Sequence, residues 1–142
     1  LISKESGFKY TKLLELEYFN PSAFSVVEPM HNLFLGTAKK CFSFWVEQEL
    51  LSTGNLETIG ERVRKMKVST DLGRLPTNIS SNYGQFTAEE WKNWVLIYSL
   101  FCLQGLLPRQ HLKVWQKFVL ACRIVCQPVI PKQRLQIAHQ LF

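Results

Sequence analysis

The sequence predicts an all-α fold, a helical bundle of about five helices, from two observations. Apolar residues recur at helical spacing (i, i+3, i+4, i+7) over most of the chain after residue 25. Short stretches rich in Gly, Pro, Ser and Asn interrupt this spacing, and no strand pattern stands out after residue 25. A length of 142 residues with 46% hydrophobic residues suits one domain with one core. We therefore expect a single helical domain over 1–142 that belongs to a longer chain.

The first half of the chain is expected to hold two helices. Residues 1–25 show no clear helical period, so we expect an irregular or short extended lead-in there. The first helix begins at Pro29 and continues to about Leu51, since proline fits the first helical turn, where its missing N–H costs nothing. A second helix follows Asn55 as its N-cap. Gly60 lies inside this helix and costs about 1 kcal/mol relative to Ala, so packing must support it.

The second half begins with the longest stretch that lacks helical spacing, 69–86, which we expect to be a loop. Thr87 and Glu90 then form the Thr-x-x-Glu pattern of a capping box and predict a helix from there to about Leu106. The buried face of this helix is predicted to consist of Trp91, Trp94, Val95, Tyr98, Phe101 and Cys102. Two further helices are predicted, one after Pro108 and one over the final "KQRLQIAHQLF".

Charge and hydropathy limit the partners. The formal charge of +6 permits contact with nucleic acid without diagnosing it, because no run of five or six cations occurs. The densest groups of cations are Arg62, Arg64, Lys65 and Lys67, and then Lys39 and Lys40. No apolar run approaches the roughly 20 residues that span a bilayer, and the first ten residues do not form a signal peptide. We expect no membrane association and an intracellular location.

The four cysteines predict neither disulfides nor a metal site. Each lies in an apolar, helix-periodic context, where a free cysteine behaves as a small hydrophobic residue. Cys122 and Cys126 have the spacing of one helical face, but no second Cys/His pair completes the pattern of a structural zinc site. We therefore predict no metal and no cofactor bound by this chain.

One pair of residues has a spacing that permits chemistry. Glu28 and His31 stand three residues apart at the start of the first helix, either as the remnant of a chemical site or as a polar helix start. The recognised catalytic motifs of hydrolases, P-loop enzymes and metalloproteases are absent from the sequence. Composition and spacing alone thus predict a helical domain without a recognisable active site.

Four blocks, taken together and in order, carry a family resemblance: "EPMHNLFLG", "DLGRLP", "FTAEEWKNW" and "WQKFVLAC". Their order resembles transposases of CACTA (En/Spm)-type elements, especially the diverged copies of fungal and animal genomes. The resemblance extends from about residue 8 to about residue 130. Each block is weak by itself, and the combination is what makes the resemblance specific.

The resemblance implies a DNA-strand-transfer enzyme with an RNase H-like catalytic fold. In that family three carboxylates hold divalent metal ions such as Mg²⁺. The resemblance implies that this chain corresponds to the helical insertion downstream of the second catalytic aspartate. The family's [CD]-x-x-H motif would fall on Glu28 and His31, which would then neighbour a metal site whose ligands lie outside this chain. Glu90 aligns with an acidic position of the family and is the one catalytic candidate. A nuclear location, DNA and the remainder of the transposase are the implied setting and partners.

Two departures limit what the resemblance implies. The aspartate of the motif is Glu28 here, and the residues before it include no aspartate, so three catalytic carboxylates cannot be completed. We therefore expect a chain that is inactive by itself. The alternative is a helical protein-interaction module without nucleic-acid function, in which aromatic faces and the 69–86 loop meet a partner. A small independent enzyme built on Glu28 and His31, or on Glu89 and Glu90, ranks third.

Overall fold

The computed structural model describes residues 10–20, 23 and 28–142, which form an all-α bundle without a strand. This confirms the predicted fold class. Most of the expected lead-in, 1–25, lies outside the described residues. Within 10–20 the chain makes one 3-10 turn, Lys12–Glu15, whose N-cap is Thr11.

Six helices make up the described part of the chain. Helix α1 combines a π-helical stretch, Met30–Ala38, with Lys39–Glu47. Helices α2 and α3 cover Thr53–Lys65 and Ile79–Asn82. Helix α4 is continuous over Ala88–Asn93, the π-helical Trp94–Tyr98, and Ser99–Leu103. Helices α5 and α6 cover Arg109–Val125 and Lys132–Leu141.

The N-terminus of α2 differs from the prediction. Asn55 is not the N-cap; Ser52 is, and Asn55 occupies the third helical position. The Ser52 hydroxyl accepts the Asn55 N–H at 3.2 Å, and Asn55 Oδ1 accepts the Ser52 N–H at 3.0 Å. The pair is a capping box in which an amide replaces the usual Glu or Gln, so the prediction selected the second partner of the box rather than the cap.

The segment 69–86 is not a loop throughout. It contains α3 between two 3-10 turns, Thr70–Leu72 and Tyr83–Gln85, and Ile79 is fully buried. Helix α3 packs closely against α2 at Gly60, where an added Cβ would lie 2.8 Å from Ser80 Oγ. This close approach explains why a glycine stands inside α2 despite its low helix propensity.

The core is dominated by aromatic side chains. Trp91 and Trp94 are buried, as predicted, and Trp115 on α5 is buried as well. Phe42 on α1 contacts Trp91 and Trp94 edge to face, with ring centroids 5.8 and 5.7 Å apart. Pairs of this kind add about 0.5–1.5 kcal/mol beyond area burial.

Phe101 is 55% exposed, so its predicted burial was wrong. The π-helical turn Trp94–Tyr98 holds more residues per turn than an α-helix, which shifts the buried face of the next turn to Ser99, Cys102 and Leu103. A strict period of 3.6 residues cannot anticipate that shift.

Candidate functional site

Glu28 and His31 form a local pair at the start of α1. Glu28 Oε1 accepts the Met30 N–H at 2.8 Å, and Oε2 accepts the His31 N–H at 3.1 Å and lies 2.5 Å from His31 Nδ1. The hydrogen bond with the His31 ring is the main cause that lowers the pKa of Glu28. Desolvation opposes this effect, and the two backbone hydrogen bonds add to it.

This pair serves the helix terminus. A carboxylate that accepts the first free N–H groups of a helix satisfies them and interacts favourably with the helix dipole. The side chains of His31 and Glu28 are 76% and 48% exposed, so neither is held inside a cleft. The sequence left two interpretations open, the remnant of a chemical site and a polar helix start. These hydrogen bonds are those of a polar helix start.

Glu90, the catalytic candidate, lies in the predicted capping box of α4. Its Oε2 accepts both the Thr87 N–H and the Thr87 hydroxyl at 2.8 Å, while Thr87 Oγ1 accepts the Glu90 N–H at 3.3 Å. Among the described residues no hydrogen bond or ion pair joins Glu90 to Glu28 or His31. The structure thus assigns Glu90 a capping contact and does not connect the three predicted site residues.

The described residues do not fit the metal ions that the resemblance implies for the family. Across 10–20, 23 and 28–142, no three His, Cys, Asp or Glu side chains converge in a way that could hold an ion. Glu28 and Glu90 both direct carboxylate oxygens at hydrogen-bond donors of their own helix termini. No step of metal chemistry can be built on these residues.

A buried amide connects two of the four sequence blocks. The Asn93 side chain is 4% exposed, and its Nδ2 donates to Leu72 O at 2.8 Å and to Arg74 O at 2.7 Å. Between these two carbonyls lies Gly73, whose φ of 63° is a conformation that L side chains rarely adopt. An added Cβ at Gly73 would also collide with the carboxylate of Glu89. The "DLGRLP" turn is therefore fixed against α4 by Asn93.

This role of Asn93 was not predicted from the sequence. One signal was present: an amide that lies among tryptophans on the apolar face of a helix needs a hydrogen-bond partner, because burial of an unpaired amide is costly.

The other two blocks also meet α4. The first part of α1 packs against Ala88–Asn93, and Trp115 on α5 donates its indole N–H to Ser99 Oγ at 2.9 Å.

Three cations bind backbone carbonyls of the protein itself. Arg62 Nη1 donates to Cys102 O at 2.9 Å and to Gln104 O at 2.7 Å, at the C-terminus of α4. Arg123 donates through Nε and Nη2 to Leu96 O, in the π-helical turn of α4. Lys39 Nζ donates to Gly84 O at 2.6 Å. Arg62 and Lys39 belong to the groups that raised the possibility of nucleic-acid contact, and here they stabilise the fold.

The net positive charge of the chain comes from its second part. Residues 91–142 hold seven of the 17 Lys and Arg residues and none of the 11 Asp and Glu residues, a formal +7. Residues 1–90 hold the other ten cations and all eleven carboxylates, a formal −1. This asymmetry comes from the absence of carboxylates after Glu90, so it is not visible as a run of cations in the sequence. An asymmetry of this kind favours a polyanionic partner.

An apolar groove lies between the second half of α1 and the first half of α5. Its volume is about 740 Å³, and its lining includes the stacked rings of Trp115 and Phe118, whose centroids are 5.0 Å apart. Three exposed apolar residues line it as well: Phe44, Val114 and Phe142. Lys40, His111 and Lys117 are the basic residues of the lining, and none of the described lining residues is Asp or Glu.

The four thiols are free, and desolvation of the thiolate raises the pKa of each of them. For Cys102 and Cys122 the pKa rises to about 12. Cys122 is buried and Cys126 is exposed, so the two do not form one thiol face. Because the thiolate is the reactive form, these environments suppress nucleophilic chemistry.

In the described part of the chain no helix has the length and apolar character needed to cross a membrane. Comparison of the chain with protein-family models, with curated proteins and with solved structures finds no match in any of the three.

Proposed function

We propose that this chain is a transposase-derived helical domain of the CACTA (En/Spm) type, which assists DNA strand transfer without being catalytic by itself. One observation supports this most: the four blocks that carry the resemblance meet around α4. Asn93 holds the "DLGRLP" turn, the first part of α1 packs against Ala88–Asn93, and Trp115 bonds to Ser99. Blocks that are distant in sequence but form one packed unit are expected of a domain in which they act together.

In this proposal catalysis belongs to carboxylates outside the described residues. Glu28 and His31 stabilise the N-terminus of α1, and Glu90 stabilises the N-terminus of α4. With Mg²⁺ or Mn²⁺ and supercoiled plasmid, we expect the purified chain to produce no nicked or linear DNA. Nicking that is lost in Glu90→Gln would instead favour an independent enzyme.

The proposed contribution of the domain is to hold DNA in the nucleus through its basic second part. Arg109 and Lys113 are exposed at the N-terminal end of α5, and neither α5 nor α6 contains a carboxylate side chain. Cations that are not used inside the fold are free to neutralise phosphates, which gives binding without sequence preference and with a strong salt dependence.

Fluorescence anisotropy with a labelled duplex tests this directly. We expect binding at low ionic strength, with a salt slope that falls by roughly 2 in Arg109→Gln/Lys113→Gln, since each phosphate contact contributes about 0.9. The matched control is Arg64→Gln/Lys65→Gln, which removes two exposed cations in the part of the chain where charges balance. Absence of salt-dependent binding, or equal effects of the two double variants, would contradict the DNA-binding role.

A second candidate function is the helical protein-interaction module. The groove between α1 and α5 favours this function, because three of the apolar side chains that line it are exposed: Phe44, Val114 and Phe142. As a module without nucleic-acid function, this candidate predicts no DNA binding, and it can be tested separately because Arg109 and Lys113 do not line the groove.

A further inference from the structure

We propose that the groove between α1 and α5 binds an amphipathic α-helix with an acidic polar face, supplied by a partner protein. This rests on the second candidate function, since it names the class of partner for the same groove, and it requires neither DNA nor a catalytic core. The proposal depends on three properties of the groove: its apolar lining, its helical register and its charge.

The groove exposes apolar side chains to solvent, whereas most of a protein surface that has no partner carries polar side chains. Phe44, Val114 and Phe142 are 48%, 70% and 59% exposed, and all three line the same groove. Beneath them Trp115 stacks on Phe118, and Phe118 contacts Phe142 with ring centroids 6.0 Å apart. Exposed apolar side chains that share one concave surface are typical of protein-binding sites.

The register of α5 matches a helical ligand. Three residues of α5 line the groove at positions i, i+3 and i+7: His111, Val114 and Phe118. This spacing covers two helical turns, or about 10 Å. A partner helix offers apolar side chains at the same spacing, so two turns of it can be covered by this side of the groove. The groove volume of about 740 Å³ accommodates several such side chains.

The charge decides which helix fits. Lys40 on α1 and Lys117 on α5 lie in the lining, which contains no Asp or Glu among the described residues. The surrounding segment 91–142 has a formal charge of +7. Complementary charge speeds association and rejects partners of the same sign, so the polar face of the bound helix should be acidic. A DNA phosphate backbone would gain little from covering Phe44 and Val114, which favours protein over nucleic acid here.

The probe is a designed 16-residue helical peptide labelled with fluorescein. It carries Leu and Trp at i, i+3, i+4 and i+7 and Glu on the flanking positions, and a second peptide carries Lys in place of every Glu. By anisotropy we expect the Glu peptide to bind the protein at least roughly tenfold more tightly than the Lys peptide, with a difference that shrinks as salt screens the charges. Equal affinities for the two peptides would overturn the proposal.

Matched variants locate the binding. Val114→Ser should weaken the Glu peptide roughly tenfold, the effect expected for losing one buried valine side chain. Val129→Ser is the control, since Val129 is 79% exposed and does not line the groove. Because both side chains are on the surface, circular dichroism should show an intact fold. Equal effects of the two variants would refute the location.

Charge variants separate this groove from the DNA surface. Lys117→Glu should reduce the preference for the Glu peptide over the Lys peptide, and Lys132→Glu, on α6 outside the groove, should not. If Val114→Ser instead weakened a labelled duplex as much as the peptide, the groove would be a nucleic-acid surface and the proposal would fail. If Arg109→Gln/Lys113→Gln abolished DNA binding and left peptide affinity intact, the groove would stand independently of the DNA role.

Discussion

Asn93 offers the sharpest test of how the domain is held together. Its Nδ2 donates to Leu72 O and Arg74 O at 2.8 and 2.7 Å, and the residue is 4% exposed. Asn93→Asp keeps the shape of the side chain but replaces both donors by acceptors. Two carbonyls then face a carboxyl group that cannot satisfy them when it is ionised.

The magnitude follows from those two bonds. Each polar group deprived of its partner costs about 1–3 kcal/mol when it is buried, which would give about 2–6 kcal/mol for the pair. Because the turn that carries the two carbonyls is partly exposed, water can restore some of this. We therefore expect a loss of about 2–3 kcal/mol at pH 7, a large share of the 5–15 kcal/mol typical of a domain.

The loss should also depend on pH in a defined direction. Burial beside two carbonyl oxygens raises the pKa of the introduced carboxyl group above its unfolded value of about 3.9. The folded variant then keeps its proton at pH values where the unfolded chain has released it. The stability of the variant relative to the wild type therefore falls as pH rises above about 4, by up to about 1.4 kcal/mol per pH unit, until the pKa of the folded state is reached.

Urea unfolding at pH 4 and pH 7, monitored by circular dichroism, measures both effects. Asn78→Asp is the matched control, because Asn78 is exposed and makes no side-chain capping bond; its change should stay within about 0.5 kcal/mol. Equal stability of the two variants would refute the role of the Asn93 hydrogen bonds, and so would an Asn93→Asp variant that becomes more stable relative to the wild type as pH rises.

Four further predictions follow from single contacts. Gly73→Ala should destabilise the domain by about 1–3 kcal/mol, because φ is 63° and the new Cβ meets Glu89, whereas Gly84→Ala, with open space around it, should not; thermal unfolding compares them. Trp115→Phe should cost about 0.5–1.5 kcal/mol more than Trp91→Phe in urea unfolding, since Trp115 bonds to Ser99 while Trp91 Nε1 has no partner among the described residues; equal costs would contradict this. NMR titration should find the pKa of Glu28 below its ordinary value, and His31→Ala should raise that pKa, because the hydrogen bond with the His31 ring is the main cause of the shift. A Glu28 pKa that is the same in His31→Ala as in the wild type would show that the His31 ring does not cause the shift. A thiol reagent at pH 8 should modify the exposed Cys126 first and leave Cys102 and Cys122 protected until unfolding, given that burial raises the pKa of both to about 12; early reaction of Cys102 would oppose this.

The helices could be predicted because their signals are local. Pro29, the Thr87 and Glu90 pair and Pro108 each fix a helix start through groups within one turn, and all three starts appear in the structure. The burial of Trp91 and Trp94 followed from helical spacing for the same reason.

Features that depend on contacts between distant segments could not be predicted from the sequence. Helix α3 forms inside 69–86 because Ile79 is buried and Ser80 packs on Gly60, and nothing in the local composition announces that contact. The π-helical turn of α4 shifted the buried face away from Phe101, and Arg123 reaches a carbonyl of that turn from α5. Of the three predicted site residues, Glu28 and His31 do meet, while Glu90 bonds to Thr87 in its own capping box. The partners of Asn93 became visible only in three dimensions.

The central proposal is that this chain is a helical domain of a CACTA-type transposase whose catalytic carboxylates lie elsewhere in the protein. Sequencing the transcript that encodes it tests this most directly. We expect the same reading frame to contain, upstream of residue 1, two aspartates that each follow a short apolar strand-like segment. A reading frame that begins within a few codons of residue 1, or an upstream region without such aspartates, would contradict the claim.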